Sequence, residues 1–427
     1  MNYKKNILLI TPRTYPVPAV KGGAVEQLIE ILLKNNTEDS EIKYTVYTPY
    51  SSLIKEEDIS EFKNVEFRFV KQNSIRYLIK KYFYGFVHRI GLYFNQSNVF
   101  IEEIIKDVKL RGDEFDKIII ENDYTSILKC KKDLNGKIIL HMHNDYLTSK
   151  TRNAKKIIKN CDEIWCVSHY IEKNIKKIYK DANTIVIENC IDREKFLMNK
   201  KENIISEIKK KYDICEDDFI VIYVGRLLKV KGVIELIDAY NDFCKKKKTK
   251  LLIVGWNNKK PYKEDKYTKE IKRKIRNNSK IKLCGKIKYD ELVNYYSCAN
   301  CQIIPSKWNE AFGLVTLEGM LCKIPIIASN AGAISEVLHG TGIVIDKENL
   351  VKEIKEELEV LYENRKLCKQ IGEKEYSATK IYSVENYANK IIKRLDKDGD
   401  KKKKWINIFI CVFYIYNYWN FANLNID

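Results

Sequence analysis

The stretch CQIIPSKWNEAFGLVTLEGMLCKIPIIAS, residues 301–329, leaves a chain few ways to fold. An apolar run (302–304) stops at Pro305-Ser306, a polar loop carries Glu310, a second apolar segment carries Glu318, and a further apolar run follows at 324–328. The pattern is strand, loop, helix, strand. In such a unit the loop leaves the carboxyl end of a parallel strand. Open α/β sheets bind ligands at that edge, because helix N-termini and unpaired backbone N–H groups converge there. Glu310 is expected in the loop. Glu318 is expected about two turns into the helix, whose first turn, Phe312-Gly313-Leu314-Val315, offers N–H groups with no partner inside the helix. Carboxylates do not bind a phosphate, so beside an anion-binding helix start they suit the hydroxyls of a phosphorylated ligand, such as a sugar or a ribose.

The same alternation recurs along the chain. Strands are expected at 6–10, 44–47, 65–70, 117–120, 137–140, 163–167 and 184–187, and again at 219–224, 251–254 and 281–284. After the first strand a Pro-rich loop closes on Gly22-Gly23 before a helical stripe of Val25, Leu28, Ile29 and Leu32. Paired glycines let backbone approach a ligand closely, with a helix dipole aimed at it. Neither a G-x-G-x-x-G nor a G-x-x-x-x-G-K-[ST] string is present, so dinucleotide and P-loop readings lose their main support. After 219–224 comes GRLLKVKG, which delivers Arg226 and Lys231 into a glycine-bounded loop. Arginine supplies a planar fork and lysine a compact charge, which together make a diphosphate clamp. The strand at 137–140 runs into His141-Met142-His143-Asn144-Asp145, and alternation turns both histidines to one face. A two-histidine metal site competes with a ligand-facing role, but no further ligand is tied to it by spacing.

PSKWNEAFGLVTLEGMLCKIPIIAS and GRLLKVKG resemble the signatures of the retaining glycosyltransferases of family 4, and the chain is similar to the spore-coat-protein-SA-like subset over about residues 6–397. The resemblance implies an α/β chain of the GT-B fold, with two Rossmann-like domains facing a cleft and a terminal helix near 383–397 crossing back to the first domain. It implies catalytic roles for Glu310, His143, Arg226 and Lys231. It also implies a donor site made of Gly22, Gly23, Arg226, Lys231, Glu310, Phe312, Gly313, Leu314, Val315 and Glu318. In that family the first glutamate and the FGLV amides meet the donor sugar and its phosphate, and the second glutamate meets the nucleotide ribose. His143, which begins the His-Asn pair, matches the family's histidine near the donor sugar better than His141 does. No metal or cofactor is expected, since two fixed cations do the work of a magnesium ion; a UDP-sugar is the first expectation for the donor. The expected function is retaining transfer of a sugar from a nucleoside-diphosphate sugar to a saccharide or lipid-linked acceptor in cell-envelope or spore-surface polysaccharide synthesis. The alternative is a non-catalytic coat or scaffold protein that keeps the fold. Cys190 departs from the pattern, which usually has glycine after the asparagine equivalent to Asn189, and this weakens any contact assigned to Asn189.

The expected domains are 1–191 on the acceptor side, a charged, irregular linker at 192–203, the nucleotide-sugar domain at 204–380, a returning helix at 381–400 and a basic, aromatic tail at 401–427. Length supports two cores of this size: the chain has 427 residues, 45% of them hydrophobic. A net charge of +19 invites nucleic acid or anionic membrane as partner, but Lys, Ile, Asn and Tyr are all plentiful, as base-composition drift would make them. No aromatic and basic RNA-binding motif appears, so nucleic acid is not expected. Twelve cysteines without a secretory signal point to a reducing, cytoplasmic setting. The lone CxxC, Cys298 to Cys301, reads as core filler. Residues 74–96 form a basic helix striped by Ile75, Leu78, Ile79, Tyr82, Phe86 and Ile90. Packing of that stripe on the sheet is the favoured reading, and contact with an anionic membrane the other. The tail, KKKKWINIFICVFYIYNYW, is too short and too often interrupted to span a bilayer; it reads either as a peripheral anchor on the inner face of the membrane or as an artefactual end. The D-x-D string at Asp396 reads as solvated.

Overall fold

The computed structural model describes residues 5–89, 98–257 and 265–396. The tail at 401–427, most of the D-x-D string, and Ile90 lie outside the described residues, as does the side chain of Phe86. Seven strands make the first sheet: β1 (Lys5–Ile10), β2 (Ile42–Pro49), β3 (Val65–Val70), β4 (Lys117–Glu121), β5 (Lys137–Met142), β6 (Glu163–Cys166) and β7 (Thr184–Val186). Their order is β3-β2-β1-β4-β5-β6-β7. Six more make the second: β8 (Phe219–Val224), β9 (Thr249–Val254), β10 (Ile281–Gly285), β11 (Cys301–Ile304), β12 (Ile326–Ser329) and β13 (Ile343–Ile345), in the order β10-β9-β8-β11-β12-β13. β1 pairs in parallel with β2 and β4, and β8 with β9 and β11. In both sheets the order reverses beside the first strand, which opens a crevice at the carboxyl ends of the strands on either side.

The central strands are mostly apolar because helices cover both faces of a parallel sheet, whereas the edge strand β3, VEFRFV, is half-buried and keeps Glu66 and Arg68. All six residues of β8, FIVIYV, are buried, and Phe219, Val221 and Tyr223 join Leu236, Ile237 and Tyr240 of the helix Val233–Phe243 in one core. Cys301 is buried in this core too, and Cys298 is buried outside it.

Packing divides the described residues into two compact units: those up to 120 with 128–139 and 387–396, and those of 121–127 with 140–386. In the first unit the helix at 384–396 buries Ile391 and Leu395. The buried Lys117 Nζ donates to the carbonyls of Arg394 (3.0 Å) and Leu395 (2.8 Å). A cation there answers both the orphan carbonyls and the negative end of the helix dipole. The terminal helix therefore returns to the first unit, as expected.

Two expectations fail. Residues 192–203 are not irregular: Arg193–Met198 is helical, and another helix starts at Glu202. Asp192 caps the first by accepting from Lys195 N (2.9 Å), while Phe196, Ile205 and Ile208 turn inward, so the charges that read as a linker are the wet faces of short helices. The helix Ile75–Arg89 does form, but its stripe does not pack on the sheet: Ile75, Ile79 and Tyr82 are exposed, and Tyr77 is the residue that turns inward.

Candidate active site

At the carboxyl edge of the second sheet, the loop after β8 (Gly225 to Gly232) and the loop after β11 (Pro305 to Gly313) are joined through backbone. The carbonyl of Val230 accepts from Lys307 N (2.8 Å) and Trp308 N (3.1 Å). Gly232 has φ +68°, and a Cβ on it would overlap the Pro305 carbonyl. Glycine is required twice over, for a left-handed backbone and for the close approach. The consequence is that Lys231 reaches Glu310: its Nζ forms an ion pair with Glu310 Oε1, and the Ser306 hydroxyl donates to the same oxygen at 2.8 Å.

Glu310 is held by its backbone as well, donating from N to Ala331 O (3.2 Å) and accepting at O from Ala333 N (2.8 Å). Between those partners Gly332, at φ +69°, has no room for a side chain. Arg226 is exposed, and its guanidinium forms no ion pair among the described residues. Its carbonyl is fixed by the Tyr223 hydroxyl at 2.9 Å. The edge therefore presents one unpaired cation, one cation paired to a carboxylate, and a helix start.

That helix is Leu314–Leu321, with Gly313 as its N-cap at φ +95°. It begins later than the sequence suggests, so Glu318 lies just over one turn in and not two. Phe312 precedes the helix and is buried, its ring edge-on to Tyr382 at 5.7 Å. Of the four FGLV residues, only Leu314 and Val315 present amides in the first turn.

Glu318 is 6% exposed, and its Oε2 accepts from the Tyr296 hydroxyl at 2.9 Å. Burial pushes its carboxyl up to about 7, with the Tyr296 bond pulling the other way. Gln302 Nε2 donates to Val315 O (3.1 Å) behind it. The sequence assigned no contact to Tyr296, Gln302 or Ser306, because a single tyrosine, glutamine or serine carries no spacing signal.

In the first sheet β4 ends on Glu121, beside His141 and His143 at the end of β5. All three side chains are almost fully buried; Glu121 Oε2 lies 3.1 Å from His141 Nδ1 and 2.8 Å from His143 Nε2. Burial raises the Glu121 carboxyl, but attraction from His141 and hydrogen bonds from both rings outweigh it and hold it at about 2. Burial, and then repulsion from His141, depress His143 to about 4 against the pull of Glu121. At neutral pH the carboxylate is therefore ionised and His143 neutral, its Nε2–H donating to Glu121. Among the described residues His143 Nδ1 is left as a buried lone pair with no hydrogen-bond partner, and His141 Nε2 also lacks one. The candidate ligand atoms of the three residues lie within 4.8 Å of one another, so the group could hold a metal ion. Glu121 is the third group that sequence spacing did not supply.

The second unit holds this triad together with Arg226, Lys231, Glu310 and Glu318, and in it Ser168 Oγ donates to Ala311 O at 2.6 Å. Gly22 and Gly23 belong to the other unit, at φ +74° and +114°, where Gly23 caps the helix Ala24–Lys34 directly over the buried Glu26.

Residues 204–378, which include Arg226, Lys231, Glu310 and Glu318, match the family model described as glycosyl transferases group 1. The chain is a glycosyltransferase. It is 25% identical over 417 residues to the lipopolysaccharide 1,2-N-acetylglucosaminetransferase of Salmonella typhimurium, covering 93% of this chain and 100% of the relative. Spore coat protein SA of Bacillus subtilis is 23% identical over 349 residues, 78% of this chain and 83% of that one. Among solved structures, Anabaena HepE in complex with UDP-glucose superposes with a TM-score of 0.67 at 16% identity, over 92% of this chain and 100% of its own. This likeness shows the fold: two parallel-sheet α/β domains of the GT-B kind.

Two outcomes follow for this glycosyltransferase. Gly232→Ala forces a left-handed alanine against Pro305 O, and calorimetry should show a loss of more than about 1–2 kcal/mol in stability. The Glu318 carboxyl, at about 7 in the fold against a usual 4.5, makes stability fall as pH rises between those values, because only the unfolded chain releases the proton there. Compared with Glu318→Gln, the parent should lose on the order of 3 kcal/mol across that window in denaturant titrations; equal slopes for the two proteins would refute the assignment.

Proposed function

We propose that this glycosyltransferase moves a sugar, with retention of configuration, from a nucleoside-diphosphate sugar, UDP-sugars first, to a saccharide or lipid-linked acceptor of the cell envelope or spore surface. The observation that carries the reading is the Lys231–Glu310 ion pair pinned beside the unpaired Arg226 and the open amides of Leu314 and Val315. A diphosphate supplies the anion that this edge lacks. It competes with Glu310 for Lys231, takes Arg226 as its second cation and rests on the helix start. Glu310, released from Lys231 and still bonded to Ser306, accepts from hydroxyls of the donor sugar. Glu318 takes the ribose. The bare Nδ1 of His143, held in that tautomer by Glu121, accepts from a sugar hydroxyl.

In the transfer step the bond from the anomeric carbon to the phosphate oxygen breaks, and the acceptor oxygen bonds to the same face. The acceptor proton passes to the departing phosphate. Arg226 and Lys231 stabilise the charge that grows there, so no dedicated carboxylate base and no metal are required. The UDP-glucose complex of the HepE neighbour supports the donor class. On this reading residues 1–191 are the acceptor side and 204–380 the donor side. The enzyme works in the cytoplasm, at the inner face of the membrane when the acceptor is lipid-linked.

Calorimetry with a panel of nucleoside diphosphates should show binding of at least one, weakened about tenfold or more in Arg226→Ala, the scale of a charge-assisted hydrogen bond. Glu310→Ala should leave nucleotide affinity within a few-fold while lowering transfer by about a hundredfold. Unchanged transfer in both variants would remove these residues from the site. Activity should also survive EDTA; loss that manganese restores would overturn the metal-free mechanism and direct attention to Glu121, His141 and His143.

A further inference from the structure

The helix Ile75–Arg89 leaves an ordered apolar face in water. Ile75 is 78% exposed, Leu78 36%, Ile79 65%, Tyr82 75% and Phe83 60%. Their spacing of three, four, seven and eight residues from Ile75 places them on one side of a single helix. The opposite side is anchored to the helix Asn98–Arg111. Tyr77 is buried, the Tyr84 hydroxyl donates to the Glu102 carboxylate at 2.9 Å, and Lys80 pairs with Glu102 (2.7 Å) and Glu103 (3.4 Å). These contacts fix the rotation of the helix, so the exposed stripe is held outward by polar bonds on its back.

The charge around the stripe is mainly positive, and Glu102 and Glu103 nearby are paired to Lys80. The helix contains no acidic residue, and Arg76, Lys81 and, on the neighbouring helix, Lys106 are all exposed. Beside the stripe lies a depression of about 480 Å³ lined by Arg76, Ile79, Lys80, Phe83, Glu103 and Lys106, which brings two apolar side chains together with three cations and one carboxylate. Self-association through this face would set Arg76 and Lys81 against their own copies, which like-charge repulsion opposes. An anionic surface with an apolar interior satisfies both halves at once.

We infer that the exposed face of the helix Ile75–Arg89 docks on an anionic phospholipid bilayer, its stripe entering the headgroup boundary and Arg76, Lys81 and Lys106 resting on lipid phosphates. No helix among the described residues is long and apolar enough to cross a membrane, so the contact lies in the plane of the surface. Tyr82 and Phe83 are the aromatic residues that sit at such a boundary. The inference stands apart from the transferase reading, since it requires neither nucleotide nor acceptor.

The test is co-sedimentation of the full chain with phosphatidylglycerol-containing vesicles and with pure phosphatidylcholine vesicles, at low and high salt. Pelleting is expected only with the anionic vesicles and is expected to weaken with salt. Ile79→Glu with Phe83→Glu, and separately Arg76→Glu with Lys81→Glu, should each lower the partition coefficient at least tenfold while leaving Tm and nucleotide binding unchanged. Should the first pair unfold the chain, Ile79→Ser with Phe83→Ser serves in its place. Pelleting that persists in folded variants of the stripe would overturn the inference, as would a parent chain that does not pellet. A concentration-dependent dimer abolished by the same substitutions, without vesicle binding, would assign the face to a second copy instead.

Discussion

The approach of Gly232 to the Pro305 carbonyl governs the second sheet's ligand edge. Two loops that leave neighbouring strands, β8 and β11, ordinarily stand apart by the width of their side chains. Here the absence of one Cβ lets Val230 O take two amides of the Pro305 loop, and the cation of one loop lands on the carboxylate of the other. Glu310 is then held on three sides, by Lys231, by Ser306 and by its own backbone against Ala331 and Ala333. Fixed partners of this kind stabilise developing charge without reorganising at the moment of reaction.

Electrostatics separates the buried carboxylates by their neighbours. Glu121 and Glu318 are both almost fully buried. Glu121 has two imidazoles against it and lies at about 2; Glu318 has a single neutral hydroxyl and lies at about 7. One is a permanent charge that orients His143, and the other changes charge within the physiological range. The same residue type thus serves a fixed role in one sheet and a pH-sensitive one in the other, because burial penalises a charge only as far as its partners fail to answer it.

The sequence by itself determined the sheets and the segments that carry the chemistry. β3, an alternating segment, and β8, an apolar run, begin and end at the residues their patterns mark, and β11, the Pro305 break and Gly313 are all visible as composition changes along the chain. Periodicity and turn chemistry are properties of neighbouring residues, so they survive in one dimension. The tertiary structure decided what those segments touch. Glu121 meets His141 across 20 residues, Lys231 meets Glu310 across 79, and the Asp192 cap, read as part of a loose linker, starts a packed helix. Even the direction of an amphipathic helix was open: the period of Ile75–Arg89 showed that it has an apolar side, while Glu102 and Glu103 decided that this side faces water. Pairing across such separations is set by strand register, loop closure and the packing of one helix on another, and these depend on atoms that no local pattern brings together.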